Sequence, residues 1–405
     1  MTHPRPRPAR PARPGHPPHR PTLRGTARAL AGVLVLLHGA LHVLGYVAAP
    51  GGPGLAGAEG TRFTVGPVAG YAWLATAALL VVTGFALLAR RPGWWRLGAV
   101  AVVASQALVV SQWPEAWAGT VADLVLAIAV VHGWCATGSR STRTRYRRGV
   151  AATLAQAAPD PSAPPSPITE HDLAVLPPAL AGYLRRTGSV GRPPVTAFRV
   201  TLRGRIRGGP GDRWMTFTGE QVSTSGPRPT RHFLLDATAA GLPVDVLHVL
   251  TDGTATMRAD LLSAIPVVRG AGPSMDRGET VTLFNDLCLM TPSALVRAPV
   301  TWEALDARHV RGTYRQGGQT VRAVLAFDEA GDLVDFVSDD RLRASRDGRS
   351  FTPERWSTPV HGYARHDGRR LPSAASALWH PEEGEPFVYA EMTLVDVAEL
   401  AAPGS

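Results

Sequence analysis

Residues 140–148 read Arg-Ser-Thr-Arg-Thr-Arg-Tyr-Arg-Arg, and this basic run divides the chain into two parts of different character. Every long apolar run lies before it, whereas short apolar and polar stretches alternate after it. Lys and Arg concentrate on the cytoplasmic side of membrane-spanning segments. The run therefore predicts a membrane domain before residue 140 and a β-rich domain after it, on the cytoplasmic side of the bilayer.

The two parts also differ in net charge. Residues 1–150 contain 16 Arg against three acidic residues, whereas residues 151–405 contain 26 Arg against 29 acidic residues. The excess that gives the whole chain its formal charge of +10 thus lies beside the apolar runs. A nucleic-acid-binding domain would carry basic charge on its own surface. We therefore expect a lipid bilayer as a partner and no nucleic acid.

Four apolar runs precede the basic run. They lie at 29–49, 66–88, 97–113 and 118–137. Since a helix needs about 20 residues to cross about 30 Å of hydrocarbon, we predict a four-helix transmembrane bundle at 26–138, after a disordered Arg/Pro tail at 1–25. The connections 50–65 and 114–117 carry a single Arg. This asymmetry predicts a multi-pass protein of the inner (cytoplasmic) membrane with both termini in the cytoplasm.

Four polar residues within the apolar runs are His38, His42, Gln106 and Asp123. At 1.5 Å per residue, His42 and Asp123 lie about 20 Å from the inner end, and His38 and Gln106 about 14 Å. Polar groups at such depth pair with each other, so we predict a His42–Asp123 contact and a His38–Gln106 neighbourhood. Three interpretations stay open: hydrogen bonds that hold the bundle together, a proton path or small-ligand site, and a haem or metal site. Because two His four apart on one helix cannot clamp one haem iron, we expect no cofactor and no metal.

The sequence changes character again after the basic run. Residues 139–167 are basic and then rich in Pro, which predicts an extended linker. Thr169-Glu-His-Asp172 is typical of a capping box at a helix N-terminus. In Phe198-Arg-Val-Thr-Leu-Arg-Gly-Arg-Ile206, apolar residues or Gly occupy every second position, the pattern of a strand buried on one face. About ten such stretches with Gly-rich turns between them predict antiparallel strands.

From these strands we predict an α+β domain at 168–400, with one large curved antiparallel sheet that forms a half-barrel. Asp276-Arg-Gly-Glu279 reads as a second capping box, and apolar residues follow it at helical spacing. This helix and a loop at 253–275 are expected to cover the apolar face of the sheet, because an open sheet of that size would otherwise expose its core. The arrangement predicts a concave, partly apolar cavity.

Several segments of this domain resemble an uncharacterised family of bacterial proteins of unknown function. They are Gly-Glu-Thr-Val-Thr-Leu-Phe-Asn-Asp (278–286), Pro-Ser-Ala-Leu (292–295), Val-Thr-Trp-Glu-Ala-Leu-Asp (300–306), Arg-Trp-Ser-Thr-Pro-Val (355–360) and Ala-Leu-Trp-His (377–380). The resemblance covers about residues 175–397 and implies no catalytic residue, since the family has no established activity. Its strand pattern is similar to that of the lipoprotein-localisation carriers, half-barrels that shelter acyl chains. That similarity implies a fold and licenses no function by itself.

The strong catalytic signatures are absent from the sequence, including Gly-x-Ser-x-Gly, the phosphate loop, His-Glu-x-x-His and Cys-x-x-Cys. The catalytic residues, if any, are therefore unknown. Candidates for a ligand cavity are polar residues with apolar neighbours, together with aromatic residues of the same strands. They are Trp214, Glu220, Arg258, Glu279, Asp286, Trp302, Glu303, Trp356, Trp379 and Glu391.

Three functions remain open from the sequence. The first is a membrane-tethered, non-enzymatic module whose half-barrel binds an apolar or amphipathic ligand, such as a lipid-like small molecule. The second is a hydrolase-like enzyme that uses carboxylates of the cavity, which would require several acidic side chains to converge. The third is a small transporter, proton path or redox unit in the helix bundle, with the β-rich domain as its regulator.

Overall fold

The computed structural model describes residues 23–47, 67–156, 166–345 and 349–400. The chain divides into two compact units, Met1–Ala127 and Ile128–Ser405. Most of the predicted tail and the whole 50–65 connection lie outside the described residues, so the structure does not test them.

Apolar helices build the first unit. They are α1 (Leu23–Val47), α2 (Pro67–Leu88), α3 (Trp94–Ser111), the short α4 (Trp113–Ala116) and α5 (Gly119–Thr137), whose last turns belong to the second unit. In the described part of the chain, four helices are long and apolar enough to cross a membrane, namely α1, α2, α3 and the helix that begins at Gly119. They coincide with the four apolar runs of the sequence. The third ends at Ser111, two residues early, because Pro114 has no N–H with which to continue the helix.

The helices of the second unit are α6 (Thr142–Gln156), α7 (Glu170–Ala174), α8 (Pro178–Arg186) and α9 (Pro273–Met290), with a 3-10 turn at Pro292–Val296. The predicted capping box of α7 is present. The Thr169 hydroxyl accepts a hydrogen bond from the Asp172 N–H, and the Asp172 carboxylate accepts one from the Thr169 N–H. Pro177 and Pro178 separate α7 from α8, in agreement with the sequence analysis.

The strands of the second unit are β1 (Ala197–Ile206), β2 (Met215–Thr224), β3 (Thr230–Ala239), β4 (Leu242–Thr251), β5 (Thr254–Leu261), β6 (Ile265–Ala271), β7 (Val300–Ala304), β8 (His309–Gln316), β9 (Gln319–Phe327), β10 (Leu333–Ser338), β11 (Leu342–Ala344), β12 (Phe351–Pro353), β13 (Arg355–Ser357), β14 (Tyr363–His366), β15 (Arg369–Pro372), β16 (Ala374–His380) and β17 (Phe387–Glu399). Thirteen of them form one sheet in the order β6-β5-β4-β3-β2-β1-β17-β16-β13-β10-β9-β8-β7. All neighbours are antiparallel. The predicted large antiparallel sheet is therefore confirmed, and pairing of β1 with the last strand, β17, joins its two halves.

Strong curvature brings the two ends of this sheet together. Gly253, in the turn between β4 and β5, touches Gly317, in the turn between β8 and β9. A Cβ added to Gly317 would lie 2.5 Å from the Gly253 Cα. Nearby, Gln316 Nε2 donates to the carbonyl of Pro227 at 3.0 Å, which links β8–β9 to the turn between β2 and β3. The sheet thus has the shape of a half-barrel with a concave side.

Helix α9 lies on the concave side and forms the centre of the core. It packs against β4, β5, β6, β9 and β10. Phe284 is fully buried, and its ring lies 5.2 Å from that of Tyr314 and 5.4 Å from that of Phe336. Aromatic pairs at such distances stabilise a core beyond the area that they bury. The helix is thereby fixed to the β7–β10 side of the sheet.

Three local expectations are wrong. Residues 253–275 are not a loop, because they contain β5 and β6. The Asp276–Glu279 capping box does not form, since α9 begins three residues earlier, after Gly272. Within the expected linker 139–167, residues Thr142–Gln156 form α6 instead of an extended chain; the Pro-rich segment 157–165 lies outside the described residues.

Candidate functional site

A cavity of about 800 Å³ lies between the curved sheet and α9. Its wall on the sheet side is largely apolar. Among the side chains there are Leu202, Phe217, Phe233, Leu235, Met257 and Val268. These residues come from β1 to β6 and face the cavity because alternate residues of a strand point to the same side.

The wall on the helix side carries polar groups. Gly278, Glu279, Thr282, Asn285 and Asp286 of α9 all line the cavity. Residues three or four apart share one face of a helix, so these positions form a polar stripe along α9. Apolar side chains near the two ends of the helix, Met275, Leu289 and Met290, line the cavity as well.

Arg231 of β3 connects the sheet to this polar stripe. Its Nη1 lies 2.9 Å from Glu279 Oε2, and its Nε lies 2.7 Å from Asp286 Oδ2. The three side chains are only 6%, 4% and 7% exposed, respectively. Gln221 Nε2 donates a further hydrogen bond to Asp286 Oδ2 at 2.8 Å. Buried charges require such pairing, because an isolated charge away from water is very costly.

Burial and charge act differently on the two carboxyl groups. Burial alone would raise the pKa of Glu279, but the charges of His248 and Arg231 hold that pKa well below its usual range. Burial raises the pKa of Asp286, and the opposing effect of Arg231 does not cancel it. Glu279 is therefore the carboxylate that most firmly keeps its negative charge.

Two polar atoms at the cavity have no partner among the described residues. Gln221 Oε1 and Arg341 Nε are buried and make no hydrogen bond. His248 Nδ1, by contrast, faces Glu279 Oε1 at 3.3 Å. All three residues line the cavity. An unsatisfied buried polar group costs about 1–3 kcal/mol, so Gln221 Oε1 and Arg341 Nε are costly atoms of the cavity wall.

Aromatic side chains frame one part of the wall. Trp356 Nε1 donates to the hydroxyl of Tyr389 at 3.1 Å, and the rings of Trp379 and Tyr389 stack at 5.6 Å. The guanidinium of Arg341 lies 4.5 Å from the centre of the Trp356 ring and 5.7 Å from that of Trp379. Cation–π contacts of this kind hold a guanidinium in a fixed plane.

Half of the residues predicted from the sequence do line the cavity. They are Trp214, Glu279, Asp286, Trp356 and Trp379. The role assigned to Glu279 was wrong, because it holds Arg231 and does not cap the helix.

The other predicted residues lie elsewhere. Glu220 accepts a hydrogen bond from Tyr146 on the opposite face of the sheet, and Arg258 pairs with Asp260. Trp302 packs on Phe284 in the core, with ring centres 5.9 Å apart. Glu303 pairs with Arg311 and Glu391 with Arg205, both at the surface. The glutamates Glu220, Glu279, Glu303 and Glu391 therefore do not converge on one site.

Four polar residues of the cavity wall were not predicted from the sequence, namely Arg231, Gln221, His248 and Arg341. A signal for Arg231 was present, since it shares strand parity with the buried Phe233 and Leu235 of β3. An Arg within an alternating strand is usually on the solvent side, and its partners on α9 are distant in sequence. Only the tertiary structure shows that the three charges meet.

The first unit contains a second buried polar cluster, formed by His38, His42, Ser105 and Asp123. His38 Nε2 lies 3.2 Å from Asp123 Oδ1 and 3.0 Å from Ser105 Oγ. Ser105 Oγ lies 3.0 Å from His42 Nε2 and donates to Asp123 Oδ2 at 2.8 Å. His38, and not the predicted His42, is therefore the histidine that contacts Asp123. Ser105, which was not predicted, lies at the centre of the cluster and contacts His38, His42 and Asp123.

Gln106 does not join this cluster. It donates to Thr120 Oγ1 at 3.1 Å instead, because consecutive residues of α3 point in different directions. In the described part of the chain, no group of three or more His, Cys, Asp or Glu side chains is arranged to hold a metal ion.

Helix α6 covers the opposite, outer face of β2–β4. Arg143 Nη2 lies 2.6 Å from Asp236 and 3.1 Å from the fully buried Asp245. The hydroxyl of Tyr146 donates to Glu220 at 2.8 Å, and Thr153 Oγ1 lies 2.9 Å from His232 Nε2. The basic run that opened the sequence analysis is thus partly used to bind α6 to the sheet.

These features define a class: half-barrel domains that enclose a cavity, here preceded in the chain by long apolar helices. Residues 166–392 match the Family of unknown function (DUF6544), and this match spans more than half of the chain. The chain belongs to that family, which confirms the resemblance to an uncharacterised family. No curated protein matches the sequence.

Solved structures with a similar fold come from several bacteria. A LolA superfamily protein from Nitrosomonas europaea is 12% identical with a TM-score of 0.32, over 56% of this chain and 93% of its own. A DUF1329 family protein from Desulfovibrio piger is 12% identical with a TM-score of 0.31, over 56% and 92%. A domain assigned to outer membrane lipoprotein sorting in Vibrio parahaemolyticus is 10% identical with a TM-score of 0.29, over 50% and 85%. Similarity at this level carries no information on ligand or activity.

Proposed function

We propose that this protein is a membrane-tethered binding module whose half-barrel takes up an apolar or amphipathic molecule. The observation that carries the proposal is the cavity of about 800 Å³ with its largely apolar sheet-side wall. Ligand pockets typically measure about 300–1,000 Å³ and are mostly apolar. Each Å² of apolar surface that leaves water contributes about 25 cal/mol, so an alkyl chain would be stabilised against this wall.

Tethering is supported by the surface of the apolar helices. Large apolar side chains such as Leu30, Val68 and Val103 are 67%, 84% and 69% exposed. Lipid is the solvent in which such a surface is favourable. With the basic residues near the helix ends, the positive-inside bias favours the inner membrane, with the cavity on the cytoplasmic side.

Binding is favoured over catalysis by the arrangement of the carboxylates. Glu279 and Asp286 both hold Arg231, and the other glutamates expected in the cavity lie on separate surfaces. Acid–base chemistry needs groups placed to exchange a proton with a substrate. A cavity whose carboxylates already neutralise a buried guanidinium is better suited to retain a molecule than to transform it.

The ligand proposal is tested with the full chain in phosphatidylcholine nanodiscs and a diazirine-bearing long-chain alcohol. After irradiation, peptide mass spectrometry locates the label, and the signal on α1–α5 peptides measures the probe in the bilayer. We expect label on β3, β5 and α9. Met257→Trp, which fills the cavity, should reduce it severalfold, whereas Thr256→Trp at the exposed neighbouring position should not. Label confined to α1–α5, or equal label in both variants, contradicts the proposal.

The membrane placement is tested separately in intact cells. Glu382 lies in the exposed turn between β16 and β17, so a Cys introduced there is available to a membrane-impermeant maleimide only from its own side of the membrane. We expect Glu382→Cys to react after cell lysis and not before. Reaction in intact cells would overturn the cytoplasmic location and leave the cavity proposal unaffected.

A further inference from the structure

Arg341 differs from the other buried or half-buried arginines at the cavity because its Nε is buried without a partner among the described residues. Arg207 also has only carbonyl acceptors, but its Nε donates to the carbonyl of Val388. Arg341 lies between β10 and β11 and lines the cavity. Its Nη1 donates to the carbonyl of Gly278 at 2.9 Å and to the hydroxyl of Thr282. Within the described residues both of its hydrogen bonds come from Nη1, and both acceptors are neutral.

In its neighbour Arg343, the Nε and Nη2 atoms of the guanidinium bind a carboxylate. Arg343 also lines the cavity, and its Nε and Nη2 hold Glu354 in a two-point contact at 2.8 Å and 2.7 Å. Such a fork matches the geometry of a carboxylate or phosphate group. In Arg341 the same Nε–Nη2 edge has no acidic partner among the described residues.

The surroundings of Arg341 hold that edge in place. The guanidinium lies over Trp356 at 4.5 Å and near Trp379 at 5.7 Å. Aromatic rings on its flank exclude water, and a charge-assisted hydrogen bond is stronger where water is excluded. The charge of Arg341 acts on Glu279, but Glu279 and Asp286 are both bound to Arg231, which offsets their repulsion of an incoming anion.

We propose that the cavity selects an amphiphile with an anionic head group, a carboxylate or a phosphate monoester, bound by the guanidinium of Arg341. The alkyl chain then lies along the apolar wall, on the side opposite the polar stripe of α9. This inference rests on the proposed binding function and adds the chemistry of the ligand. Arg341 is the residue that determines specificity, and the apolar wall supplies affinity irrespective of charge.

The experiment compares two diazirine probes of equal chain length, a carboxylic acid and the alcohol, on the full chain in phosphatidylcholine nanodiscs. The label on cavity peptides is divided by the label on α1–α5 peptides, which corrects for different partition into the bilayer. We expect a severalfold preference for the acid in the wild-type chain. Arg341→Gln should lower the acid signal about tenfold, the factor that 1.4 kcal/mol of lost interaction produces, and leave the alcohol signal unchanged.

Two further variants separate charge from structure. Arg341→Lys keeps the charge and should retain part of the preference, whereas Arg355→Gln removes a guanidinium paired with Asp339 outside the cavity and should leave the ratio of acid to alcohol unchanged. Should Arg341→Gln fail to fold, the wild-type ratio of the two probes still decides the question. Inorganic phosphate without an alkyl chain should not displace the acid probe.

The outcomes are distinct. Equal labelling by acid and alcohol in the wild-type chain overturns the anionic specificity and leaves the proposed binding function standing. Displacement of the acid by inorganic phosphate shows a site for a free anion, which overturns the amphiphile. Absence of cavity label from either probe contradicts the proposed function itself.

Discussion

Strands β2–β4 lie between two helices, α6 on their outer face and α9 on their inner face, and the two helices approach the sheet differently. On the outer face, α6 lies directly on the sheet, and its side chains reach the acidic groups there, as Arg143 reaches Asp245. On the inner face, α9 leaves a space of about 800 Å³. Arg231 and His232 are consecutive residues of β3 whose side chains point to opposite faces. Arg231 contacts α9, and His232 contacts α6.

The comparison separates a contact that holds the fold together from a site that can take a ligand. At the outer face, the charged groups find partners on the covering helix. At the inner face, Arg231 is paired, but Gln221 Oε1 and Arg341 Nε have no partner in the described part of the chain. At the outer face, His232 Nδ1 is buried without a partner among the same residues. Native proteins pair nearly all buried polar groups, so the feature that distinguishes the inner face is the cavity beside its unpaired atoms.

The largest expected effect is on the inner face. Arg231→Met leaves Glu279 and Asp286 buried without their cation, which should destabilise the second unit by about 3–5 kcal/mol. Hydrogen exchange of β3 and α9 peptides in the full chain measures the loss. Arg185→Met is the control, since its pair with Glu170 is 48% and 60% exposed and should therefore have almost no effect on stability. A similar small effect for both variants would show that the inner network is not structural.

The next largest effect is a pH dependence of the stability of the outer face, where α6 covers His232. Burial lowers the pKa of His232 to about 4 from its usual 6.5, because the ring lies under Gly149 and Thr153. Its contribution to stability is therefore complete above pH 6.5 and is lost as the pH falls towards 4. The loss should reach about 3 kcal/mol.

Hydrogen exchange of α6 and β3, corrected for intrinsic rates, measures this loss. His232→Leu serves as the reference, because subtracting its profile removes the titration of all other groups, including Asp335, whose pKa burial raises to about 6. A stability difference between the two chains that is constant from pH 7.5 to 4.5 would contradict the prediction.

A smaller effect distinguishes two arginines of α6. Arg143→Met removes one of the partners of the buried Asp245 and should cost about 2 kcal/mol in the protection of α6. Arg145 is exposed, and in the described part of the chain its side chain donates to the carbonyl of Arg140 alone, so Arg145→Met should change protection by less than about 0.5 kcal/mol. Equal effects would mean that α6 is held by the general positive charge of the basic run and not by a specific pair.

The smallest effect concerns one hydroxyl. Tyr146→Phe removes the hydrogen bond to Glu220 and retains the ring, which packs with Val222 and Leu234. The expected loss is about 1 kcal/mol, seen as faster exchange of α6 alone. Faster exchange of α9 as well would show that the two faces of the sheet are coupled. The stability of the inner face would then depend on contacts at the outer face.

Local patterns predicted most of the architecture. The four apolar runs, the capping box at Thr169 and the alternating strands depend on neighbours in sequence, so they could be read directly. Strands β5 and β6 were missed because Arg258 and Asp260 resemble loop residues. In the structure Asp260 is fully buried and pairs with both Arg258 and Arg269.

The site was harder to predict for the same physical reason. Glu279 and Asp286 were recognised as candidates, but the guanidinium that unites them comes from another strand, and an Arg in a strand normally faces solvent. In the helix bundle, Ser105 was overlooked because a Ser in an apolar run gives no signal. Pairing across the fold depends on tertiary distances, which no local pattern contains.

The contact between Gly253 and Gly317 makes the closure of the half-barrel depend on two residues outside the cavity wall. Two turns meet there through backbone alone, both at positive φ, 75° and 57°, and neither residue lines the cavity. A Cβ at Gly253 would lie 2.8 Å from the Gly317 Cα, and one at Gly317 would lie 2.5 Å from the Gly253 Cα. A side chain at either position would therefore push the two turns apart.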